Sequence, residues 1–338
     1  MATAYIGMLD HGDPLYEVLA LRVYPEIPQP VFHVERLCCH RRVYRYREAH
    51  TTRAVVGKFF DTKDRDEGKL RRIKGEYRNL IRLRYLGLNT HPHYVVNPLC
   101  REERIGLAVA EEFVGGRDLD HYLRRAAWDG ASAPLHEALG GLADFLHRLH
   151  TQSAAGRAAS GPRAARLDDV AAYFLRVVTK LQRQGLLDLD HATEYLRLLD
   201  RWLQRPRMHT EAVTVHGDAT PTNFLFPSRH DVVAIDLERM KDADPVYDVG
   251  MVCGELKHAF LWRTGRLDTS EPFIRRFLEQ YARHFPAPAS AFWSITRRVP
   301  FYMALTELRI ARNPWLDWGY RRHLVGEARK CLTWGLKL

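Results

Sequence analysis

Apolar and polar residues alternate along Val43-Tyr44-Arg45-Tyr46 and along much of Arg53 to Phe60, with Glu48-Ala49-His50-Thr51 between them. Two runs of period two around a short polar connection predict a β-hairpin. After a charged stretch, Asp61 to Lys69, the period changes. Tyr77, Leu80, Ile81, Leu83, Tyr85 and Leu88 recur at helical spacing, which predicts an amphipathic helix ending near Gly87. Tyr94 to Leu99 and Ile105 to Phe113 read as further strands, and Gly115-Gly116 punctuates the chain. Helical patterning then dominates: Leu135 to His150, residues 168–185 and 190–204, and most of the chain from residue 251. Short β-like runs interrupt it at 213–216, 223–226 and 232–236, and residues 151–165, rich in Ala, Gly, Ser and Arg, read as a loop. Strands with one helix, followed by helices with a few short strands, predict an α+β protein with a sheet-rich N-terminal lobe and a mostly helical C-terminal lobe. A cleft between two such lobes is the default place to look for a ligand.

Composition changes this picture little. The chain has 338 residues, 46% hydrophobic and 27% charged, which is ordinary for a folded domain. No apolar run is long enough to cross a membrane, and Met1 to Pro14, with Asp10 and Asp13, does not read as a secretory signal. Residues 1–30 carry no motif and read as a leader segment. The five cysteines are odd in number and fit neither a zinc site nor a disulfide framework, so a cytoplasmic protein is expected.

Charge adds one asymmetry. Of a formal net charge of +10, residues 251–338 hold 15 Lys or Arg against 7 Asp or Glu. A basic region of this kind steers anions but does not define a function. No nucleic-acid-binding motif accompanies it, and none of that binding is expected.

The chemistry is concentrated in His216-Gly217-Asp218-Ala219-Thr220-Pro221-Thr222-Asn223 and Val232-Val233-Ala234-Ile235-Asp236-Leu237-Glu238. An apolar run leads into each acidic residue. An Asp, an Asn five residues on and a second Asp eighteen residues after the first are the residue types that phosphoryl transfer uses. One carboxylate orients an acceptor hydroxyl, while an Asn and another Asp offer hard oxygen ligands to Mg²⁺. An Asp and Asn near one turn are ordinary turn chemistry; two such elements in order carry the functional reading. His216 is read as a brace for the loop rather than a metal ligand.

These segments resemble the aminoglycoside phosphotransferase and choline kinase family, relatives of protein kinases. Its members carry His-Gly-Asp-x-x-x-x-Asn followed by Ile-Asp-x-Glu, and Asp244-Pro245-Val246-Tyr247-Asp248 is similar to its Asp-Pro-x-x-Asp segment. The resemblance implies a protein-kinase-like bilobal fold and an ATP- and Mg²⁺-dependent small-molecule kinase. Asp218 would be the catalytic base, Asn223 and Asp236 the Mg²⁺ ligands, and Asp248 a support for the catalytic loop. Val55-Val56-Gly57-Lys58-Phe59-Phe60 resembles the strand whose Lys contacts the ATP phosphates. A strand Lys usually faces solvent, so this role depends on a carboxylate partner: Glu76, with Glu67 as competitor. Glu111 to Gly116 resembles the hinge, where the Glu112 carbonyl and Val114 amide would meet adenine. Phe145 to His150 resembles the core helix past the hinge, with His147 and His150 structural.

The implied division is an N-terminal nucleotide-binding lobe over 1–113 and a C-terminal lobe over 114–338 that holds the catalytic loop 216–223, the metal-binding segment 235–238 and the acceptor-binding helices. The likeness covers about residues 34–250. It departs from the family between Val34 and Arg47, which contain no glycine. Cys38-Cys39-His40-Arg41-Arg42 stands where a Gly-rich loop would approach phosphate, and Arg41 or Arg42 could supply charge there instead.

The acceptor is a small-molecule hydroxyl compound: a sugar, an aminoglycoside-like antibiotic, an amino alcohol or an envelope glycolipid. The basic C-terminal region favours a neutral or anionic one. Trp262, Trp293, Trp315 and Trp318 could form an aromatic cage for choline, although Trp residues scattered over helices are more often core. A protein kinase is disfavoured by His-Gly-Asp in place of His-Arg-Asp and by the lack of Asp-Phe-Gly and Ala-Pro-Glu. The alternative from another class is a catalytically weak or inactive nucleotide-binding scaffold of the same fold. Oligomeric state is not legible.

Overall fold

A computed structural model describes residues 3–37, 42–155, 163–228 and 230–338. The segment Cys38 to Arg41 and residues 156–162 of the predicted 151–165 loop lie outside the described residues, while 151–155 are helical rather than loop; Arg42 pairs with Asp61 at 2.6 Å. The fold is α+β, with strands gathered in the N-terminal part and helices in the C-terminal part. The chain divides into two compact units, residues 1–117 with 225–239, and residues 118–224 with 240–338.

The first unit begins with β1 (Thr3–Met8), α1 (Pro14–Arg22), β2 (Phe32–Leu37), β3 (Val43–Glu48), β4 (Ala54–Phe59), α2 (Glu67–Tyr85), β5 (His93–Val95), β6 (Pro98–Glu102) and β7 (Leu107–Glu112). Six of these strands form an antiparallel sheet in the order β1-β2-β3-β4-β7-β6. The predicted hairpin is β3 and β4. Its turn is tied by the buried Glu48 carboxylate, which accepts from the His50 and Thr51 amides at 2.8 and 2.7 Å. The helix predicted from Tyr77 onward starts ten residues earlier, at Glu67, where the Asp66 side chain caps it by accepting from the Lys69 amide.

Within residues 1–30, the described residues from Thr3 onward form part of the first unit. β1 pairs with β2, and Asp13 and Pro14 start α1 as N-cap and first helical residue. Burial of Leu15, Leu19, Val23 and Tyr24 against Phe32, Val34, Tyr46 and Leu107 holds the segment in the core of this unit.

The second unit holds α3 (Leu119–Asp129), α4 (Ser132–Ala155), α5 (Leu167–Arg183), α6 (Leu189–Leu203) and β9 (Val213–Val215), where β8 is the two-residue Arg117–Asp118 at the junction. The chain returns to the first unit through β10 (Phe224–Phe226) and β11 (Val232–Ala234). This departs from the single boundary after residue 113 expected from sequence, which grouped 235–238 with the helices. The physical reason is pairing: β11 runs parallel to β5, and the Asn79 amide of α2 donates to the Leu237 carbonyl at 2.8 Å.

After β12 (Lys241–Ala243), which pairs with β9, come α7 (Val246–Thr264), α8 (Glu271–Ala282), α9 (Pro288–Thr296), α10 (Val299–Ala311) and α11 (Trp318–Gly335). Both α7 and α10 are buried nearly all round. Their close approach requires Gly250 and Gly254, where a Cβ would lie 2.4 Å from Tyr302 Cβ and 2.7 Å from Thr306 Cβ. Trp262, Trp293, Trp315 and Trp318 are not core; all four are exposed. None of the described helices is long and apolar enough to cross a membrane.

Gly254→Val forces α7 and α10 apart. The expected cost is about 1–3 kcal/mol, the usual range for overpacking, read as a lower midpoint in equilibrium denaturation. An unchanged midpoint would show that the helix contact tolerates a larger separation.

Candidate active site

In the first unit, register brings the ionic residues together. Lys58 in β4 lies opposite Val109 of β7, and Glu111 lies two residues further on, opposite Val56, so both side chains share one face of the sheet. Glu76 lies on the buried stripe of α2 with Leu80 and Leu83. Lys58 Nζ is 2.6 Å from Glu76 Oε1 and 3.1 Å from Glu111 Oε1. Glu67, the alternative partner, is exposed in the first turn of α2.

One ammonium therefore serves two carboxylates that are only 2% and 3% exposed, with Asp236 adding a third negative charge to the same field. Burial works against the Lys58 cation, but Glu111, Glu76 and Asp236 outweigh it and raise its pKa. Burial comes first among the causes that push Glu76 and Glu111 upward, and the shared Lys58 only partly offsets it. Glu111 Oε2 is buried without a hydrogen-bond partner. Counted by groups, acids outnumber the one base, and burial relieves the excess by pushing Glu76 up to about 8 and Glu111 upward, toward their protonated forms.

Asp236 follows β11 with φ +63, a left-handed conformation that a non-glycine residue adopts at a cost. In the expected hinge, the Glu112 side chain accepts from the Asn97 amide at 2.9 Å, and Val114 is half-buried.

In the second unit, the 216–223 loop follows β9. Gly217 has φ +81, which a side chain would disfavour. The loop backbone is held by Asp248 from the first turn of α7: its Oδ2 accepts from the His216 amide at 2.7 Å and its Oδ1 from the Gly217 amide at 3.0 Å. Behind it, His150 Nε2 lies 3.2 Å from Asp248 Oδ2 while His150 Nδ1 lies 2.7 Å from the Tyr281 hydroxyl. Burial disfavours the charged Asp248, yet the His150 hydrogen bond, the His150 and His216 imidazoles and the Gly217 amide hold the carboxyl below its ordinary value. His216 Nδ1 accepts from the Asp218 amide at 3.3 Å. Asn223 Nδ2 donates to the Asp218 carbonyl at 2.9 Å, which leaves the amide oxygen as the acceptor atom of that side chain. Asp244, at the start of the same segment, is buried against Arg298 at 2.6 Å.

Two residues beside Asp218 have no counterpart in the sequence motifs. Arg309 of α10 donates from Nη1 to Asp218 Oδ1 at 2.6 Å and from Nη2 to Glu255 Oε1 of α7 at 2.5 Å. Glu255 is raised by burial despite the Arg309 charge.

No group of three or more His, Cys, Asp or Glu side chains among the described residues could close on a metal.

The whole chain superposes on solved kinase-like structures. A putative fructosamine-3-kinase from Thermobifida fusca is 17% identical, with a TM-score of 0.56 over 98% of this chain and 94% of that one. The aminoglycoside 2'-phosphotransferase-IIIa bound to GDP is 16% identical, TM-score 0.54, over 97% and 99%. An ethanolamine kinase from Plasmodium vivax is 12% identical, TM-score 0.54, over 87% and 78%. At these identities the likeness defines a protein-kinase-like phosphotransferase fold. No curated protein sequence matches the chain. The profile of the phosphotransferase enzyme family matches residues 40–291, well over half the chain, and the protein belongs to that family. That family defines the chain as a phosphotransferase.

A carboxyl held below its ordinary value contributes stability that is complete above its unfolded-state pKa and is lost as pH falls through the folded one. Asp248→Asn is therefore expected to cost about 1.5–3 kcal/mol at pH 7, the range for hydrogen bonds to a charged group. The gap to wild type should begin to narrow below about pH 4, the unfolded-state range, and close only below the lower folded-state pKa. Denaturant melts across this range check it; a gap constant with pH would mean that the charge of Asp248 contributes nothing.

Proposed function

We propose that the protein transfers the γ-phosphoryl group of ATP to a hydroxyl of a small neutral or anionic molecule, with Mg²⁺ as the metal. The carrying observation is the Asp218 loop, clamped through two backbone amides by the buried Asp248 carboxylate. A loop held in this way presents its Asp and Asn in a fixed relation, as catalysis by positioning requires.

The residues divide into roles. Lys58, oriented by Glu76 and Glu111, attracts the ATP phosphates, and the Glu112 carbonyl and Val114 amide are assigned to adenine. Asn223 and Asp236 hold the metal, and Mg²⁺ when bound neutralises phosphate charge. The negative excess around Lys58 supports a cationic companion for the nucleotide. Asp218 takes the acceptor proton as the acceptor oxygen bonds to the γ-phosphorus and the bond from that phosphorus to the β–γ bridging oxygen breaks, releasing ADP. His216 and Asp248 act on the loop and not on substrate.

The test is Mg²⁺-dependent ADP release by the purified protein across sugars, polyols, amino alcohols and aminoglycosides. Asp218→Asn should lower kcat by about 10³-fold or more while Mg·ATP still binds, since positioning and proton acceptance are lost together. Asp236→Asn should weaken nucleotide binding in Mg²⁺ and leave binding in EDTA nearly unchanged. Acceptor-dependent turnover that survives Asp218→Asn would remove Asp218 as base. Nucleotide binding with no turnover of any acceptor would favour a scaffold.

A further inference from the structure

The outer face of α2 carries charge that the rest of its unit does not answer. The helix buries Glu76, Leu80 and Leu83. At about 100° per residue, the side opposite them is led by Arg71, Arg78, Arg82 and Tyr85, and all four are exposed. From Arg71 to Tyr85 the stripe runs about 21 Å along the helix. Its C-terminal end is apolar as well as basic: Tyr85 is 90% exposed and the neighbouring Ile81 46%.

A solvated basic face is the ordinary explanation for such a stripe, and arginine is common in this chain. Elsewhere in the first unit, however, surface arginines are paired: Arg22 with Glu102, Arg42 with Asp61 and Arg53 with Glu26. The lysines of α2 are paired too, Lys69 with Asp64 and Lys74 with Glu103. Arg71, Arg78 and Arg82 form no ion pair among the described residues. Glu67, in the first turn, is the only acid that α2 places on their side. Arg78 and Arg82 stand four residues apart, where like charges weaken a helix. The isolated fold gains nothing from that repulsion, whereas an anionic partner removes it.

Guanidinium forks suit phosphate, so the complementary partner is a polyanion carrying phosphate groups. A bilayer with anionic headgroups uses every part of the stripe. Tyrosine and aliphatic side chains settle at the boundary between headgroups and acyl chains while neighbouring cations meet phosphate. A single-stranded nucleic acid needs successive aromatic platforms, and this face offers one ring and leaves Ile81 without a role. None of the described helices is long and apolar enough to span a bilayer, so attachment is at its surface.

We propose that the outer face of α2 docks the protein on a membrane surface rich in anionic phospholipid, with Arg71, Arg78 and Arg82 on headgroup phosphates and Ile81 and Tyr85 at the interface. The contact is independent of the assignment of Asp218 as base.

The experiment is flotation of the purified full chain with vesicles of phosphatidylcholine alone or with about one-third phosphatidylglycerol, at about 0.1 M and about 0.5 M salt. Partition into the anionic vesicles should exceed that into the neutral ones about 10-fold or more at low salt, and most of it should be lost at high salt. Combining Arg71→Gln, Arg78→Gln and Arg82→Gln should weaken partition about 100-fold, at about fivefold for each cation near the surface. The same variant loses like-charge repulsion and should melt no lower than wild type, which separates lost binding from lost fold. Ile81→Ser with Tyr85→Ser should weaken partition several-fold, since apolar insertion adds to the electrostatic attraction. Arg275→Gln, Arg276→Gln and Arg322→Gln remove the same charge from exposed positions in the basic region 251–338 and should leave partition within about twofold of wild type.

Equal partition into neutral and anionic vesicles would overturn the proposal. So would unchanged partition in the α2 arginine variant, or an equal loss in the 251–338 variant, which would make net charge the cause. Tighter binding of single-stranded RNA than of vesicles at equal phosphate concentration, abolished by the α2 arginine variant, would assign the face to nucleic acid and overturn the membrane reading.

Discussion

The arrangement of the reacting loop depends on one carboxylate that no solvent reaches. Asp248 projects from the first turn of α7 and accepts two successive backbone amides of the 216–223 loop. A neutral side chain could not take both with the same strength, and an unpaired buried charge would be expelled. The imidazole of His150 and the Tyr281 hydroxyl behind it complete the arrangement. The loop position is thereby tied to three helices, α4, α7 and α8, whose packing fixes it more firmly than loop residues could alone. Gly217 supplies the one backbone conformation that lets successive amides turn toward the same carboxylate.

Both ionic clusters follow a second constraint: buried cations are outnumbered by carboxylates. Lys58 faces Glu76 and Glu111, with Asp236 in the same field, and Arg309 faces Asp218 and Glu255. For a purely structural pair, equal numbers would be the less costly solution, since an uncompensated buried charge is what makes ion pairs expensive. An excess of acid suits a site that is completed by cationic company for a polyphosphate or by proton transfer from an acceptor. Part of the basic character of residues 251–338 is spent inside the second unit, where Lys257, Arg298 and Arg309 face Glu307, Asp244 and Asp218.

The pairing of Lys58 with Glu76 was legible in the linear sequence as a strand lysine with an acid on the following helix. Asp218, Asn223 and Asp236 were proposed from residue types that phosphoryl transfer uses, spaced next to apolar runs. Glu111 was taken only as part of a hinge strand. Its signal was present, since a charged residue in the otherwise apolar Leu107-Ala108-Val109-Ala110 run must have a buried partner. The opening segment was misread because its strand is short and its alternation weak, although Asp13-Pro14 is an N-cap followed by a first-turn proline. The return of 225–239 to the first unit was not legible. It is decided by parallel pairing of β11 with β5, a contact between residues far apart in sequence.

Arg309 and Glu255 show why the surroundings of Asp218 resist sequence reading more than the motif does. The motif residues lie within one loop and one strand end, so their spacing is a local property. Arg309 reaches Asp218 only because Gly250 and Gly254 allow α10 to lie close on α7, which places residues 91 positions apart in hydrogen-bond contact. The available signal was indirect: α10 is apolar nearly all round, so Glu307 and Arg309 within it had to be paired by something. A helix–helix approach that two glycines permit therefore sets Arg309 beside Asp218, and no residue of the 216–223 motif announces that contact.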